Sequence, residues 1–181
     1  MYTTHSHVLI TGPGGSRKTT LATHFKHRDK NAIDADLAGV GAWLDLNGME
    51  KEVPVDQDLR KINQWAEENG LSWYWDRQKL SKLLNGFDEV FLMESARNVF
   101  ELLDIFDRVF YLVADEKLIL KRLEERTRGG ENYHDNGATD QQREEIIGKI
   151  GPKLEEAKVR GFELIDASLT PDQIFDLITE E

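Results

Sequence analysis

The sequence contains no cysteine and only four prolines in 181 residues. The absence of cysteine excludes disulfide bonds, thiolate zinc sites and a cysteine nucleophile. No apolar run approaches the roughly 18 residues that a membrane-spanning helix needs, so no membrane partner is expected. Residues 1–7 are polar and do not have the pattern of a secretory signal. These absences predict a cytoplasmic protein.

Positive charge is also scarce. There are 23 Lys and Arg residues against 34 Asp and Glu, a formal net charge of −11. Binding a nucleic-acid backbone needs clustered Lys and Arg, so no nucleic-acid partner is expected. This net negative charge still allows a local basic pocket that binds a small ligand. The length favours a single domain over 1–181, as a monomer or a homodimer.

Short apolar runs alternate with helical patterns along the chain. The predicted strands cover 7–11, 31–34, 89–93, 109–113 and 162–165. Strands alternating with helices are typical of an α/β protein with a parallel sheet. We therefore predict a three-layer fold in which helices flank a five-stranded parallel sheet. The last long helical segment, 139–160, contains Gly151-Pro152, which predicts a kink or a break.

The segment 37–87 is too long for a simple crossover between two strands. It contains Asn47-Gly48, a pair that favours a hairpin turn. All four tryptophans of the chain lie in this segment. We interpret it as an insert of helices and a hairpin, and two roles stay open. It forms a small satellite core, or it provides the wall of a second substrate pocket.

The most informative segment is a glycine-rich loop between the first strand and the first helix. Its glycines allow backbone N–H groups to surround phosphate oxygens at the helix N-terminus. Lys18 is placed to reach the β- and γ-phosphates, and the hydroxyl of Thr19 to hold magnesium. The loop predicts ATP and Mg²⁺ as cofactors. The predicted nucleotide-binding residues here are Gly12, Gly14, Gly15, Ser16, Arg17, Lys18, Thr19 and Thr20.

One position departs from the Walker A pattern G-x-x-x-x-G-K-[ST], since Arg17 stands where the second glycine belongs. A side chain there must find room beside the phosphates or point away from them. The backbone N–H stays available for a phosphate, so nucleotide binding is still expected. Arg17 therefore leaves one alternative open, a regulatory protein that binds a nucleotide with little turnover.

With this loop and the acids that follow it, the chain resembles the small P-loop kinases, a group that includes shikimate, gluconate and nucleoside monophosphate kinases. Asp34 and Asp36 lie 16 and 18 residues past Lys18, at the end of the second predicted strand. The resemblance implies that Asp34 lies near the magnesium ion and that Asp36 meets the acceptor hydroxyl. A carboxylate there can orient the hydroxyl and accept its proton.

Three further segments are similar to parts of these kinases. The apolar run 90–93 ends in Glu94, which resembles a Walker B acid, and the resemblance implies that Glu94 supports magnesium and Arg97 contacts the acceptor. Arg122 and Arg126 precede Gly129-Gly130 and resemble the arginines of a lid, here 126–138. By this likeness Arg122 binds the nucleotide, Arg126 stabilises the transferring phosphoryl group, and the loop from Asp166 flanks the base.

The leading hypothesis is ATP-dependent phosphorylation of a hydroxyl on a small metabolite. The predicted catalytic residues are Lys18, Asp36 and Arg126, and the predicted metal ligands are Thr19, Asp34 and Glu94. The predicted acceptor contacts are Asp36, Trp43, Trp75 and Arg97. A nucleoside or nucleotide kinase is the alternative within the same chemistry. The sequence does not identify the acceptor.

Overall fold

A computed structural model describes residues 6–54, 59–128, 137 and 139–180, with only the backbone of 59–61, 63 and 126–128. The strands are β1 Ser6–Thr11, β2 Ala32–Asp34, β3 Gly41–Leu44, β4 Ser72–Trp75, β5 Glu89–Met93, β6 Arg108–Val113 and β7 Glu163–Asp166. The α-helices are α1 Lys18–His27, α2 Leu59–Glu68, α3 Arg77–Leu84, α4 Glu116–Arg128, α5 Asp140–Val159 and α6 Pro171–Thr179. Two short 3₁₀ helices, Val99–Glu101 and Leu103–Ile105, precede β6.

Five strands form one parallel sheet in the order β2-β5-β1-β6-β7. Ile10 of β1 pairs with Met93 of β5, and Asp34 of β2 pairs with the same residue from the other side. The carboxyl ends of β1, β2 and β5 therefore meet at one edge. Ligands of open α/β sheets bind at this edge, which is where the phosphate loop begins.

Both faces of the sheet are buried, and this confirms the predicted three-layer fold. One face packs against α1, α4 and α6 through a cluster that includes Ile10, Phe25, Phe110, Ile119 and Ile174. The other face packs against the insert and the second half of α5 through Leu92, Leu80, Leu84, Trp75 and Ala157, among others. Burial on two sides explains why the strands are continuous apolar runs rather than alternating ones.

The insert contains its own two-stranded antiparallel sheet, in which Trp43 of β3 pairs with Trp73 of β4. The predicted turn at Asn47-Gly48 is present: Gly48 has φ 76° and its N–H donates to the carbonyl of Asp45 at 2.9 Å. Beyond this turn, the described residues form one isolated antiparallel bridge with β3, between Leu44 and Glu50. The main partner of β3 is thus β4, a strand distant in sequence, and the segment after the turn adds a hydrogen bond from the Lys51 N–H to the Trp43 carbonyl at 2.9 Å.

Of the two predictions at Gly151-Pro152, the break is wrong, because α5 runs as one helix of 20 residues with Pro152 inside it, and the kink stays a prediction. A capping box between Thr139 and Gln142 starts the helix firmly. Pro152 has no N–H to donate to the carbonyl of Gly148. Because Gly148 is exposed, water can solvate this carbonyl. Across the described ranges, none of the helices combines the length and apolar character that crossing a membrane demands.

Replacing Phe25 with alanine is expected to destabilise the fold severely. Its side chain is fully buried and contacts the rings of Phe91 and Phe175, with centroids 5.0 and 4.7 Å away. The cavity left behind should lower the free energy of unfolding by about 3 to 5 kcal/mol in urea denaturation. Lys26→Ala, an exposed neighbour on α1, is the matched control and should change it by less than about 0.5 kcal/mol.

Candidate active site

The phosphate loop joins β1 to α1 and has no room for larger residues at its start. A Cβ built on Gly12 would lie 2.9 Å from the carbonyl oxygen of Leu112, and Gly15 has φ 80°. The hydroxyl oxygens of Thr11 and Ser16 are buried without a hydrogen-bond partner among the described residues. Buried polar atoms are normally paired, so these two hydroxyls fit a loop built to surround a polar ligand such as a phosphate.

Arg17 preserves the loop geometry although it is not glycine. Its backbone is left-handed, with φ 75° and ψ 21°, at the N-cap of α1. Glycine adopts this conformation without strain, whereas a residue with a Cβ loses about 1–2 kcal/mol. The Arg17 side chain lines a cavity of about 460 Å³ on the exposed face of α1, with Thr19, Thr20, Thr23, His24, His27 and Pro171. The extra side chain therefore has space beside the helix.

Lys18 and Thr19 both contact the acid that follows β5. The Lys18 ammonium is buried, lies 3.5 Å from the Glu94 carboxylate, and donates to the carbonyls of Gly12 and Pro13 at 3.0 and 3.1 Å. The Thr19 hydroxyl donates to the other oxygen of Glu94 at 3.2 Å. The two residues predicted to hold phosphate and magnesium are thus joined to the predicted Walker B acid.

The backbone of Glu94 is strained. It has φ 140°, a region that is essentially reserved for glycine and costs on the order of 1–3 kcal/mol. Such strain persists where the surroundings enforce it, and the contacts from Lys18 and Thr19 anchor the Glu94 carboxylate. The strained turn directs this carboxylate toward the phosphate loop immediately after β5 ends.

Asp34, Asp36 and Glu94 form a cluster of three carboxylates whose nearest oxygens all lie within 4.8 Å of one another. Asp34 ends β2, and Asp36 follows in a turn where its N–H donates to Asp34 at 3.1 Å. The Thr19 hydroxyl reaches the same cluster through Glu94. Carboxylate and hydroxyl oxygens are the ligands that Mg²⁺ prefers, so this donor set fits a magnesium site.

The Asp36 carboxyl is perturbed by its position. Crowding by protein atoms raises its pKa to about 7, and the charges of Glu94 and Asp34 act in the same direction. Although the residue as a whole is exposed, its carboxyl lies against protein atoms and faces these two acids, and both effects raise its pKa. The indole N–H of Trp73 lies near the Asp36 carboxyl and opposes the rise in its pKa. The two groups do not meet the geometry of a hydrogen bond.

One member of an aromatic pair, Trp73, lies beside the Asp36 carboxyl. The ring of Trp73 lies over Gly41 so closely that a Cβ there would be 2.3 Å from it. Trp43 packs on Trp73 with ring centroids 5.3 Å apart. Trp75, predicted as an acceptor contact, is instead 2% exposed and belongs to the core. Trp43 lies directly opposite Trp73 in the register of β3 and β4, so these two rings pack on each other while Trp75 is buried among core residues.

Two further cations, Arg97 and Lys153, lie close enough to each other to interact electrostatically. Arg97 follows Glu94 with an exposed side chain, and its backbone N–H donates to the carbonyl of Trp73 at 2.8 Å. Lys153 of α5 is half-buried, and burial lowers its pKa to about 8, with Lys18, Lys149 and Arg97 adding to the effect. Sequence reasoning missed Lys153. Helical spacing could have indicated it, because Lys153 lies on the same predicted helix face as Ile146, Ile150 and Ala157.

Arg122 and Asp166 stabilise the surroundings of the loop. Arg122 donates to the carbonyl of Gly15 at 3.3 Å and to that of Ala167 at 2.7 Å. Asp166 accepts from the N–H of Ser168 at 2.7 Å, and this bond lowers its pKa. Arg122 therefore links the phosphate loop to the turn after β7, and its predicted contact with the nucleotide stays a prediction.

The predicted lid falls largely outside the described residues. The backbone of Arg126 belongs to α4, but its side chain and most of 126–138 are not described. The exception is Gly137, where a Cβ would lie 2.9 Å from Leu123 and 3.4 Å from Ile146. The catalytic role of Arg126 stays a prediction.

Solved structures of three kinases share this fold. A shikimate kinase from Bacteroides thetaiotaomicron has a TM-score of 0.54 at 15% identity, covering 97% of this chain and 99% of that one. A deoxyadenosine kinase from M. mycoides with bound dATP has a TM-score of 0.53 at 14% identity, covering 97% and 100%. A gluconokinase from Sinorhizobium meliloti has a TM-score of 0.51 at 14% identity, covering 94% and 87%.

At these identities the similarity shows a shared fold. No protein-family model and no curated protein sequence matches the chain. The chain thus has the architecture of the P-loop small-molecule kinases, as the resemblance of its motifs implied.

The left-handed backbone at position 17 should govern the phosphate loop. Arg17→Gly is expected to retain Mg-ATP binding within about threefold, because glycine adopts this conformation without strain. Arg17→Val should weaken binding and lower the free energy of unfolding by about 1–2 kcal/mol, because a β-branched residue is disfavoured there. Calorimetric titration with Mg-ATP checks both variants. Equal affinity in wild type and Arg17→Val would contradict this account.

Proposed function

We propose that the protein is an ATP-dependent phosphotransferase that phosphorylates a hydroxyl group of a small metabolite. The observation that carries the proposal is the position of Asp36. Its carboxyl belongs to a cluster with Glu94, which itself contacts Lys18 and Thr19 of the phosphate loop. A candidate base thus stands beside the place where a transferable phosphoryl group would be held.

The phosphate loop serves the ATP side of the reaction. Its N–H groups at the start of α1 and the Lys18 ammonium hold the triphosphate and neutralise charge as the terminal phosphoryl group leaves. To do so, Lys18 exchanges its present acceptors, the carbonyls of Gly12 and Pro13, for phosphate oxygens. The hydrogen bonds that hold the ammonium in the loop keep it oriented for this exchange.

Thr19, Asp34 and Glu94 would hold magnesium between the phosphates and the acids. The ion when bound supplies charge neutralisation at the phosphate oxygens. The chain's own part is to provide oxygen ligands from three separate elements: the start of α1, the end of β2 and the end of β5. Glu94 also keeps Lys18 and Thr19 side by side.

Asp36 serves the acceptor. As the acceptor oxygen forms a bond to the terminal phosphorus and the bond to ADP breaks, the hydroxyl proton passes to Asp36. Without magnesium, burial and the charges of Glu94 and Asp34 raise the pKa of Asp36 to about 7. Magnesium on Asp34 and Glu94 would offset their charges and favour the ionised form of Asp36, which can accept the proton. Trp43 and Trp73 border the position of the acceptor.

A nucleoside or nucleotide acceptor is the second candidate. The observation that favours it is the Trp43–Trp73 pair, whose rings are tilted by 57° and could stack a base. The shared fold does not separate the candidates, because the solved structures include a deoxyadenosine kinase as well as a shikimate kinase and a gluconokinase. The acceptor panel below includes both classes.

The first experiment measures ADP release with a panel of sugar acids, shikimate, nucleosides and nucleotides. We expect one class to stimulate release, and chelation of magnesium by EDTA to abolish it. Lys18→Ala should lower turnover by about 10²–10³-fold, because the charge on the leaving phosphoryl group loses its partner. Tight ATP binding without acceptor stimulation from any class would instead favour a regulatory nucleotide-binding protein.

Asp36→Asn should separate chemistry from nucleotide binding. The amide cannot accept the proton, so kcat should fall by about 10²–10⁴-fold while the Kd for ATP changes little. Steady-state kinetics and calorimetry measure the two quantities. Asp29→Asn is the control: Asp29 is exposed, its φ of 58° is tolerated by asparagine, and no loss of activity is expected. A kcat within fivefold of wild type for Asp36→Asn would reject Asp36 as the base.

A further inference from the structure

We propose that the cavity on the exposed face of α1 is a second ligand site, separate from the phosphate loop, and that it binds a small phosphorylated molecule such as a sugar phosphate. This inference goes beyond the proposed phosphotransfer and does not depend on it. Two observations carry it: the chemistry of the residues that line the cavity, and the side chain of Arg17 among them.

The cavity lies between α1 and the start of α6 and has a volume of about 460 Å³. Arg17, Thr20, His24 and His27 line it at intervals of three and four residues, so they share one face of α1. Pro171, the first residue of α6, completes the lining. Sites for small molecules have volumes of roughly 300–1,000 Å³, so the cavity can hold more than a phosphate group.

The lining is rich in hydrogen-bond donors and contains no acid among the described residues. Arg17 offers a guanidinium, Thr20 a hydroxyl, and the two histidines imidazole N–H groups. The other lining hydroxyls, those of Thr19 and Thr23, donate to oxygens of the protein. In a chain of net charge −11, such a lining favours an anion, and phosphate oxygens accept from each of these groups.

Arg17 supplies the permanent positive charge. Within the described residues its guanidinium forms no ion pair and no hydrogen bond. A phosphate loop uses the backbone N–H at this position, so the guanidinium is not needed there. The left-handed backbone, with φ 75°, costs about 1–2 kcal/mol in a residue other than glycine. Because no ion pair among the described residues offsets this cost, a bound anion is the natural partner of the side chain.

Two acids contact lining residues within the described part of the chain, and each is paired with a cation outside the cavity. Glu94 accepts from the Thr19 hydroxyl and lies 3.5 Å from the lysine of the phosphate loop. Asp172 lies 3.2 Å from the imidazole of His24 and accepts a hydrogen bond from Arg28. Neither carboxylate is paired with the guanidinium in the cavity, which is therefore available to a ligand.

The two ends of the cavity suit different parts of a ligand. Arg17 and Thr20 are one helical turn apart and would hold the phosphate group together. His27 lies at the other end of this face, about 15 Å along the helix axis from Arg17 at 1.5 Å per residue. The imidazoles would therefore meet the organic part, where the hydroxyl groups of a sugar can pair with them.

The first test uses protein saturated with Mg-AMP-PNP, so that the phosphate loop is occupied. Inorganic phosphate is titrated, and the NMR resonances of the histidine imidazoles report binding. Wild type should bind phosphate, and Arg17→Gly should bind it about tenfold more weakly or worse, the loss of a charge-assisted hydrogen bond. Lys26→Met is the matched control, because it removes one charge from an exposed position of α1 outside the cavity. No binding to saturated wild type, or equal binding by all three proteins, would overturn the inference.

The second test repeats the titration with glucose 6-phosphate. This probe should bind more tightly than inorganic phosphate, and His27→Ala should weaken it by about threefold to tenfold while leaving inorganic phosphate unaffected. Tighter binding of inorganic phosphate, or no effect of His27→Ala, would reject a site for the organic part. Neither titration involves turnover, so a failure of the proposed phosphotransfer would leave the result for this cavity unchanged.

Discussion

The contact of Lys18 and Thr19 with Glu94 is the interaction on which the site depends. It joins the start of α1 to the end of β5, two elements far apart in the chain. Because β5 lies between β1 and β2 in the sheet, the same contact also brings Asp34 and Asp36 beside the phosphate loop. The strained backbone of Glu94 is the local cost of directing its carboxylate toward the loop instead of away from it.

Groups of both charges gather around this contact. Three carboxylates gather on one side, and their mutual repulsion adds to the effect of burial on the pKa of Asp36. Lys18 contacts one of these acids, and repulsion from Lys18, Lys149 and Arg97 adds to burial in lowering the pKa of Lys153. A chain with an excess of acids thus keeps both signs in one small region. Such a region can hold a metal ion and a polyanion side by side.

The aromatic insert shows where reasoning from sequence was incomplete. Trp73 and Trp75 are separated by one residue on β4, so both face the same side of an ideal strand, and composition could not rank them. The packing of Trp73 over Gly41 and the burial of Trp75 among core residues separate the two. Likewise, the spacing of Arg122 did not indicate its hydrogen bonds to the carbonyls of Gly15 and Ala167. Neither carbonyl is marked by a sequence pattern.

The sequence by itself determined the features that depend on short segments. These are the five parallel strands, the glycine-rich loop, and the acids at the ends of β2 and β5, because each follows from local periodicity or backbone freedom. Only the tertiary structure decided the features that need distant segments to meet. The continuity of α5 through Pro152, the pairing of Trp43 with Trp73, and the approach of Lys153 to the phosphate loop all depend on packing between elements. Packing has no signature within a single segment, since a side chain's neighbours are set by the path of the whole chain.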